Sequence, residues 1–183
     1  MKQKMKQKMK QKTKKTKKVE EQKILPRYLN LGCGNRPYNQ KFGWINVDID
    51  AACNPDVVRD LDKGFPFDTN SIDHVRATDV IEHMEDIFYF MYEIWRVSKP
   101  GAKVEIIAPN FANPMAIYPN HKRFIRTGYF EMWSPEYGVS TFATMNYKQE
   151  TLGAKFVVLA EQIMSETKLI RFILQVIKNG DEQ

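Results

Sequence analysis

Two glycines separated by one residue, Gly32 and Gly34, follow a short apolar segment, and Asp48 comes fourteen residues after Gly34. Glycine lets the backbone turn sharply and approach a ligand without an intervening side chain. A carboxylate at the end of the next strand can accept two hydrogen bonds from a ribose diol. Asp50 competes for this role, because strand alternation points Asp48 and Asp50 to the same face. The spacing indicates a nucleoside-containing ligand at this loop.

The residues between the glycines and the next strand narrow the kind of ligand. A dinucleotide-binding loop would have a third glycine at position 37, where this chain has Pro37, so pyrophosphate binding by an oxidoreductase is disfavoured. Only nine residues separate Gly34 from Trp44, too few for a full crossover helix with its anion-binding N-terminus. We expect Arg36 to supply a charge-assisted contact instead. The alternative is a solvated arginine.

From Ile24 onward, short apolar runs alternate with turn-rich or helical segments, as in a parallel sheet with crossover connections. The last two apolar stretches are joined by only three residues, which predicts an antiparallel hairpin at the sheet edge. The predicted strands cover residues 27–31, 44–49, 56–61, 72–78, 103–109, 155–164 and 168–177.

Apolar residues from Ile87 to Val97 recur at three- and four-residue spacings, which predicts one amphipathic helix. Acidic residues favour its start, and Lys99-Pro100-Gly101 should end it. Residues 111–150 are rich in aromatic residues, proline and asparagine, so we expect a substrate-side insertion or lid there. Its one predicted helix lies around residues 121–133.

The net charge of +6 is unevenly distributed along the 183 residues. Residues 1–23 hold 11 lysines and 2 glutamates, and the remainder carries a net charge of −3. We expect the lysine-rich, repetitive residues 1–23 to be a disordered tail, and residues 24–183 to form a single domain. Nucleic acid or another polyanion is therefore an expected partner only of the tail.

The two cysteines, Cys33 and Cys53, have neither disulfide-framework nor zinc-site spacing, so we expect no metal site. No stretch has the length of a membrane span, and no secretory signal is evident, so we expect a cytoplasmic protein. The oligomeric state is not indicated.

Four motifs in order resemble small class I S-adenosylmethionine-dependent methyltransferases of the type 11-like group. They are LNLGCGNRP, GWINVDID, VRDLDKGFPFDTNSIDHVRATDVIEHMED and MYEIWRVSKPGAKVEIIAPN, and they span roughly residues 27–110. This resemblance implies a Rossmann-like α/β fold. Its sheet would be seven-stranded and mostly parallel, with a C-terminal antiparallel hairpin and a truncated first crossover helix. S-adenosyl-L-methionine is the implied cofactor.

The resemblance also implies a position for each part of the cofactor. Asp48 would bind the ribose hydroxyls, Ile49 would pack on the adenine, and Asp60 would contact the adenine amine beside the apolar Leu61. Thr78 and Asp79 would lie near the methionine amino group, and His83 near the reacting end. The methionine part would contact the glycine loop, made up of Gly32, Cys33, Gly34, Asn35 and Arg36.

A sulfonium already activates its methyl group, so a methyltransferase must mainly hold the acceptor in line. A base helps when the acceptor is a hydroxyl or a protonated amine. His121 is our first candidate for that base; His83 is the second, although it also fits a role in positioning the following helix. His74 lies within a strand and fits a structural role.

The acceptor is not specified by the sequence. We expect a small molecule or a sugar-linked substrate, since no added recognition domain is evident, and Tyr118, Arg123 and Tyr129 are possible acceptor contacts. The alternative is a binding protein that retains the methyltransferase fold without catalysis.

Overall fold

The computed structural model describes residues 26–135 and 153–178. Seven strands form one sheet in the order β3-β2-β1-β4-β5-β7-β6. Strands β1 to β5 run parallel, and β7 pairs antiparallel with both β5 and β6. The strands are β1 Tyr28–Leu31, β2 Trp44–Asp48, β3 Val57–Val58, β4 Ile72–Thr78, β5 Ser98–Pro109, β6 Lys155–Met164 and β7 Leu169–Ile177.

The predicted fold class is confirmed: the sheet is mostly parallel and ends in an antiparallel hairpin. The expected lysine-rich tail and residues 136–150 of the expected lid lie outside the described residues. Within residues 26–135 and 153–178, no helix is long and apolar enough to cross a membrane.

The predicted amphipathic helix is confirmed as α1, Ile87–Val97. The Asp86 side chain caps it by accepting hydrogen bonds from the backbone N–H groups of Phe88 and Tyr89, both at 3.0 Å. Strand β5 begins directly after α1, five residues earlier than predicted. Ser98 pairs with Ile72 and Lys103 with His74, so the Lys99-Pro100-Gly101 turn is a bulge within β5 and not a separate loop.

Two other sequence predictions are wrong. The strand predicted over residues 56–61 is only Val57–Val58, because Asp60 already caps the 3₁₀ turn Leu61–Lys63. No helix forms over residues 121–133; only Glu131–Trp133 makes a 3₁₀ turn. The backbone there bonds to other segments instead, since Lys122 N–H donates to the Glu82 carbonyl (2.8 Å) and Phe111 N–H to the Ile125 carbonyl (2.7 Å).

The two faces of the sheet differ. One face is apolar and packs against α1, with Leu29, Val75, Val104 and Phe172 fully buried in the core. No α-helix of the described residues covers the other face, which is largely polar or aromatic. At its centre Glu105 pairs with Arg76 (3.2 Å) and Arg171 (2.5 Å). The sheet is therefore one layer of a two-layer arrangement over the part of the chain that the structure describes.

Candidate functional site

The carboxyl ends of β1, β2 and β4 meet at one edge of the sheet, where ligands bind in open α/β folds. The first strand leads into the glycine loop. Both glycines have left-handed backbone angles, with φ of +63° at Gly32 and +48° at Gly34. A Cβ on Gly32 would lie 2.3 Å from Val80 Cγ2, whereas a Cβ on Gly34 would meet no atom within 4 Å. Gly32 is thus required by packing, and Gly34 leaves open space.

Asp48, at the end of β2, holds this loop. Its Oδ2 accepts a hydrogen bond from Gly34 N–H (2.7 Å), and its Oδ1 accepts one from Asp50 N–H (2.9 Å). The Asp50 carboxylate instead accepts from Ala52 N–H (2.8 Å) and caps the 3₁₀ turn Ala51–Cys53. Strand alternation could not separate the two acids, but their surroundings differ in the structure: Asp48 lines a cavity, and Asp50 serves as a cap.

The expected truncation of the first crossover helix is also observed. The connection from β1 to β2 contains only the 3₁₀ turn Gln40–Phe42. Buried asparagines hold it in place. Asn46 Oδ1 accepts from Asn30 Nδ2 (3.0 Å) and from Tyr38 N–H (2.7 Å), and Asn46 Nδ2 donates to the Tyr38 carbonyl (2.9 Å). Side-chain amides therefore satisfy the backbone here in place of helical hydrogen bonds.

Three cavities adjoin the glycine loop and the end of β4. The Asp48 cavity, of about 530 Å³, is lined by eight of the twelve residues predicted to bind the cofactor. These are Gly32, Gly34, Asp48, Ile49, Asp60, Leu61, Asp79 and His83. The exposed Ile49 side chain supplies apolar surface. Asp60 is partly engaged elsewhere, because it accepts from Asp62 N–H and pairs with Lys63 at 3.1 Å.

The Arg36 cavity, of about 500 Å³, adjoins the same loop. It shares Gly32, Gly34 and Asp79 with the Asp48 cavity. The four remaining predicted cofactor residues line it, namely Cys33, Asn35, Arg36 and Thr78. Burial raises the pKa of the Cys33 thiol to about 11, and the Asp48 charge adds to the rise. Cys33 is therefore a neutral thiol at physiological pH.

The His121 cavity, of about 430 Å³, contains both candidate bases, His83 and His121. Their ring centroids are 4.6 Å apart in an edge-to-face arrangement. Burial and the neighbouring His83 lower the pKa of His121. The buried Nδ1 of His121 has no hydrogen-bond partner within residues 26–135 and 153–178. Asp79, His83 and Asn120 line this cavity and the Asp48 cavity alike, so the two adjoin.

Glu82 is a site residue that the sequence analysis did not single out for a role. Its side chain is buried in the His121 cavity, and neither carboxylate oxygen has a hydrogen-bond partner among the described residues. Burial raises the pKa of this carboxyl to about 7. Desolvation by the surrounding protein also raises the pKa of the neighbouring Asp79, although Arg36 opposes the rise. The adjacent acid and histidine after β4 were the available sequence signal.

Three suggested acceptor contacts have different surroundings. Tyr118 lines the His121 cavity. Arg123 donates to the backbone carbonyls of Ile81, Met84 and Glu85, so it supports the turn that carries Glu82 and His83. Tyr129 packs against Phe130. His74 packs edge-on against Tyr28 and Trp44, and burial lowers its pKa, in keeping with a structural role.

Comparison with known proteins gives one matching family model and several similar folds. The family model described as "Methyltransferase domain" matches residues 29–106. No curated protein sequence matches the chain. A structure from Sulfolobus solfataricus assigned to the type 11 methyltransferases superposes with a TM-score of 0.56 at 16% identity, over 87% of this chain and 88% of that one.

Two further structures are similar. An S-adenosylmethionine-dependent methyltransferase from Aquifex aeolicus gives a TM-score of 0.52 at 14% identity, over 84% of this chain and 85% of that one. A chain from the Haloferax volcanii complex of the Trm112 methyltransferase activator with a methyltransferase gives 0.54 at 15% identity, over 84% of both chains. At such identities the likeness establishes the fold. Residues 29–106 therefore match a methyltransferase domain, and the described residues share the fold of these S-adenosylmethionine-dependent methyltransferases.

Proposed function

We propose that the protein transfers the methyl group of S-adenosylmethionine to a small-molecule or sugar-linked acceptor held in the His121 cavity. One observation carries this proposal: the Asp48 and His121 cavities adjoin at Asp79, His83 and Asn120. Methyl transfer requires the acceptor atom in line behind the sulfonium methyl group, within near-attack distance. Adjoining cavities provide that relation, and about 430 Å³ suits a small acceptor or one end of a larger one.

The cofactor would lie across the glycine loop. Its adenosine would occupy the Asp48 cavity, with Asp48 on the ribose and with Ile49 and Leu61 against the adenine. An ionised carboxylate has about four lone-pair sites. Because two backbone N–H groups already bond to Asp48, about two sites are left for the ribose hydroxyls. Asp60 would use its remaining lone pairs for the adenine amine.

The methionine part would extend toward the Arg36 cavity. Its carboxylate would meet Arg36 and the loop N–H groups around Asn35 and Cys33, and its ammonium group would lie near Thr78 and Asp79. Support for this placement comes from the charges: the cation Arg36 and the acid Asp79 line the same cavity, as a zwitterionic amino acid requires.

During transfer, the acceptor forms a bond to the methyl carbon as the carbon–sulfur bond breaks and S-adenosylhomocysteine leaves. An acceptor that begins as a hydroxyl or a protonated amine must also lose a proton. His121 is the first candidate for the accepting base, since its buried Nδ1 is unpartnered within the described ranges. His83 is the second candidate, because it lines both adjoining cavities.

The test is S-adenosylhomocysteine formation with a panel of hydroxylated small molecules, glycosides and amines. We expect turnover with at least one acceptor class and a loss of about 100-fold or more in kcat for His121→Gln. His74→Gln is the matched control and should keep its activity, since His74 lies in β4 outside the three cavities. Intact cofactor binding without product from any acceptor would favour a methyltransferase-fold binding protein instead.

A further inference from the structure

We propose that Glu82, His83 and His121 form a binding site for one divalent transition-metal ion. Each of these residues offers one ligand atom, and the three atoms lie within 4.8 Å of one another. Two imidazole nitrogens and one carboxylate are a donor set suited to zinc, iron(II), cobalt(II) and manganese(II). The sequence predicted no metal site because its cysteines lack the spacing; the cluster forms only when residues 82 and 121 meet in the fold.

The state of Glu82 is the observation that points to a ligand. This side chain is 1% exposed, and both of its oxygens are unpartnered among the described residues. A buried carboxylate without a partner is costly, and proteins normally satisfy such a group by pairing, by hydrogen bonding or by metal coordination. Its carboxylate faces the cavity that both histidines line. A bound cation would satisfy both the charge and the lone pairs.

Both histidines keep a ring nitrogen available for a metal ion. A ligating imidazole commonly uses its second nitrogen to donate to a backbone carbonyl, which fixes the ring. His83 Nδ1 lies 3.3 Å from the Asn120 carbonyl oxygen, so Nε2 keeps a free lone pair. The buried Nδ1 of His121 has no hydrogen-bond partner in the part of the chain that the structure describes, so its lone pair is available to a metal ion.

The distances suit an ion after a small adjustment. Ligand atoms bound at about 2.1 Å lie at most about 4.2 Å apart across a metal. The three ligand atoms lie within 4.8 Å of one another, so a modest side-chain rotation would bring them within the limit of about 4.2 Å. Both histidines are half-buried and line the cavity, through which an ion would reach them. Three protein ligands leave positions open, as in catalytic metal sites.

An open position would give the metal a role in methyl transfer, and this step rests on the proposed function above. A hydroxyl oxygen of the acceptor would bind the ion and lose its proton to a solvent water more readily. The resulting alkoxide oxygen would then form the bond to the methyl carbon as the carbon–sulfur bond breaks. When the metal is bound, the two histidines act as its ligands, and loss of the acceptor's proton no longer depends on a histidine base. The acceptor class would then be an oxygen nucleophile rather than an amine.

The test is titration of the chelator-treated full chain, without a histidine tag, with Co²⁺. We expect visible d–d absorption that saturates at one ion per chain. Glu82→Gln, His83→Gln and His121→Gln should each weaken Co²⁺ affinity at least about tenfold. Loss of a residue that only hydrogen-bonds to a metal ligand already weakens affinity by about that factor, and loss of a ligand should cost at least as much. His74→Gln should bind as the unaltered protein does, because it removes the one histidine outside the cluster.

Several results would overturn the metal site. They are the absence of a spectral change with excess Co²⁺, equal weakening by His74→Gln, and sulfur-to-cobalt charge-transfer bands that assign binding to Cys33 or Cys53. Thermal unfolding separates ligand loss from misfolding, since Glu82→Gln removes a buried charge and should keep or raise the metal-free Tm. At the same concentration, Zn²⁺ should raise the Tm of the unaltered chain more than that of Glu82→Gln.

The titrations contain neither cofactor nor acceptor, so their failure leaves the proposed methyl transfer untouched. Activity supplies the converse control. If the metal holds the acceptor, chelator treatment should remove turnover and added metal should restore it, while S-adenosylmethionine affinity stays the same. If a chain that binds Co²⁺ shows full turnover in the presence of chelator, the metal site stands, but its proposed role in holding the acceptor is refuted.

Discussion

Asp48→Asn should weaken S-adenosylmethionine binding by about ten- to 150-fold. The range corresponds to a loss of about 1.5 to 3 kcal/mol, the usual contribution of hydrogen bonds to a charged group. The carboxylate already accepts from the N–H groups of Gly34 and Asp50. An asparagine there has one acceptor oxygen, so it cannot serve both N–H groups and also accept from two ribose hydroxyls.

Isothermal titration calorimetry would measure the affinity, with Asp50→Asn as the matched control. Asp50 is the same residue type two positions away, and its carboxylate caps a 3₁₀ turn instead of lining the Asp48 cavity. We expect Asp50→Asn to change the dissociation constant less than about threefold, which is well below 1 kcal/mol. Thermal unfolding of both variants would report any loosening of the glycine loop.

A ribose-modified ligand separates direct binding from loop support. The unaltered chain should bind 2′,3′-dideoxy-S-adenosylhomocysteine more weakly than S-adenosylhomocysteine, and Asp48→Asn should lose that discrimination. If Asp48 only holds the loop, the variant will discriminate between the two ligands as strongly as the unaltered chain. That result, or an unchanged affinity in Asp48→Asn, would refute the ribose assignment.

Two further predictions concern packing and charge. Gly32→Ala should lower the Tm more than Gly34→Ala, because a Cβ at position 32 would overlap Val80, whereas one at position 34 meets no atom within 4 Å. Adding Val80→Ala to Gly32→Ala should recover part of the lost Tm. Equal Tm shifts for the two glycine variants would contradict the packing argument. Glu93 is buried, but hydrogen bonds from Arg96 and a backbone N–H hold its pKa below the ordinary 4.5. The stability that ionised Glu93 provides is present above pH 4.5 and is lost as the pH falls through the lowered pKa. Acid should therefore destabilise the unaltered chain more steeply than Glu93→Gln. If the free energies of unfolding in urea fall in parallel with pH for the two proteins, this prediction is wrong.

The sheet was largely predictable because apolar runs, turn residues and motif order all indicated the same elements. The β4 segment IDHVRAT also alternates polar and apolar residues, which indicates how its two faces are covered. Its polar residues, including His74 and Arg76, lie on one face of a central parallel strand, where burial on both faces would favour a continuous apolar run. That alternation indicates an uncovered face, which agrees with the absence of α-helices there in the described residues.

The helix predicted over residues 121–133 failed for a different reason. The backbone of Lys122 and Ile125 bonds to segments far away in sequence, which competes with local helical hydrogen bonds. The local sequence pattern does not indicate hydrogen bonds to backbone groups that are distant in sequence. The same limit applies to Glu82: a carboxylate in sequence gives no sign that it will be buried without a partner. The distinction between Asp48 and Asp50 likewise needed the positions of surrounding backbone N–H groups.

The polar face of the sheet, which no α-helix of the described residues covers, has a consequence for how the chain folds. In helix-rich α/β domains, each strand–helix–strand unit gathers contacts that are close in sequence. Here β1 must pair with β4, with Tyr28 opposite His74, and α1 is the one α-helix among the described residues. Loop closure must precede these distant pairings, so folding should be slower than in a helical domain of equal size. The chain would expose unpaired strand edges for longer, and early chaperone contact would benefit it more than a helix-covered relative.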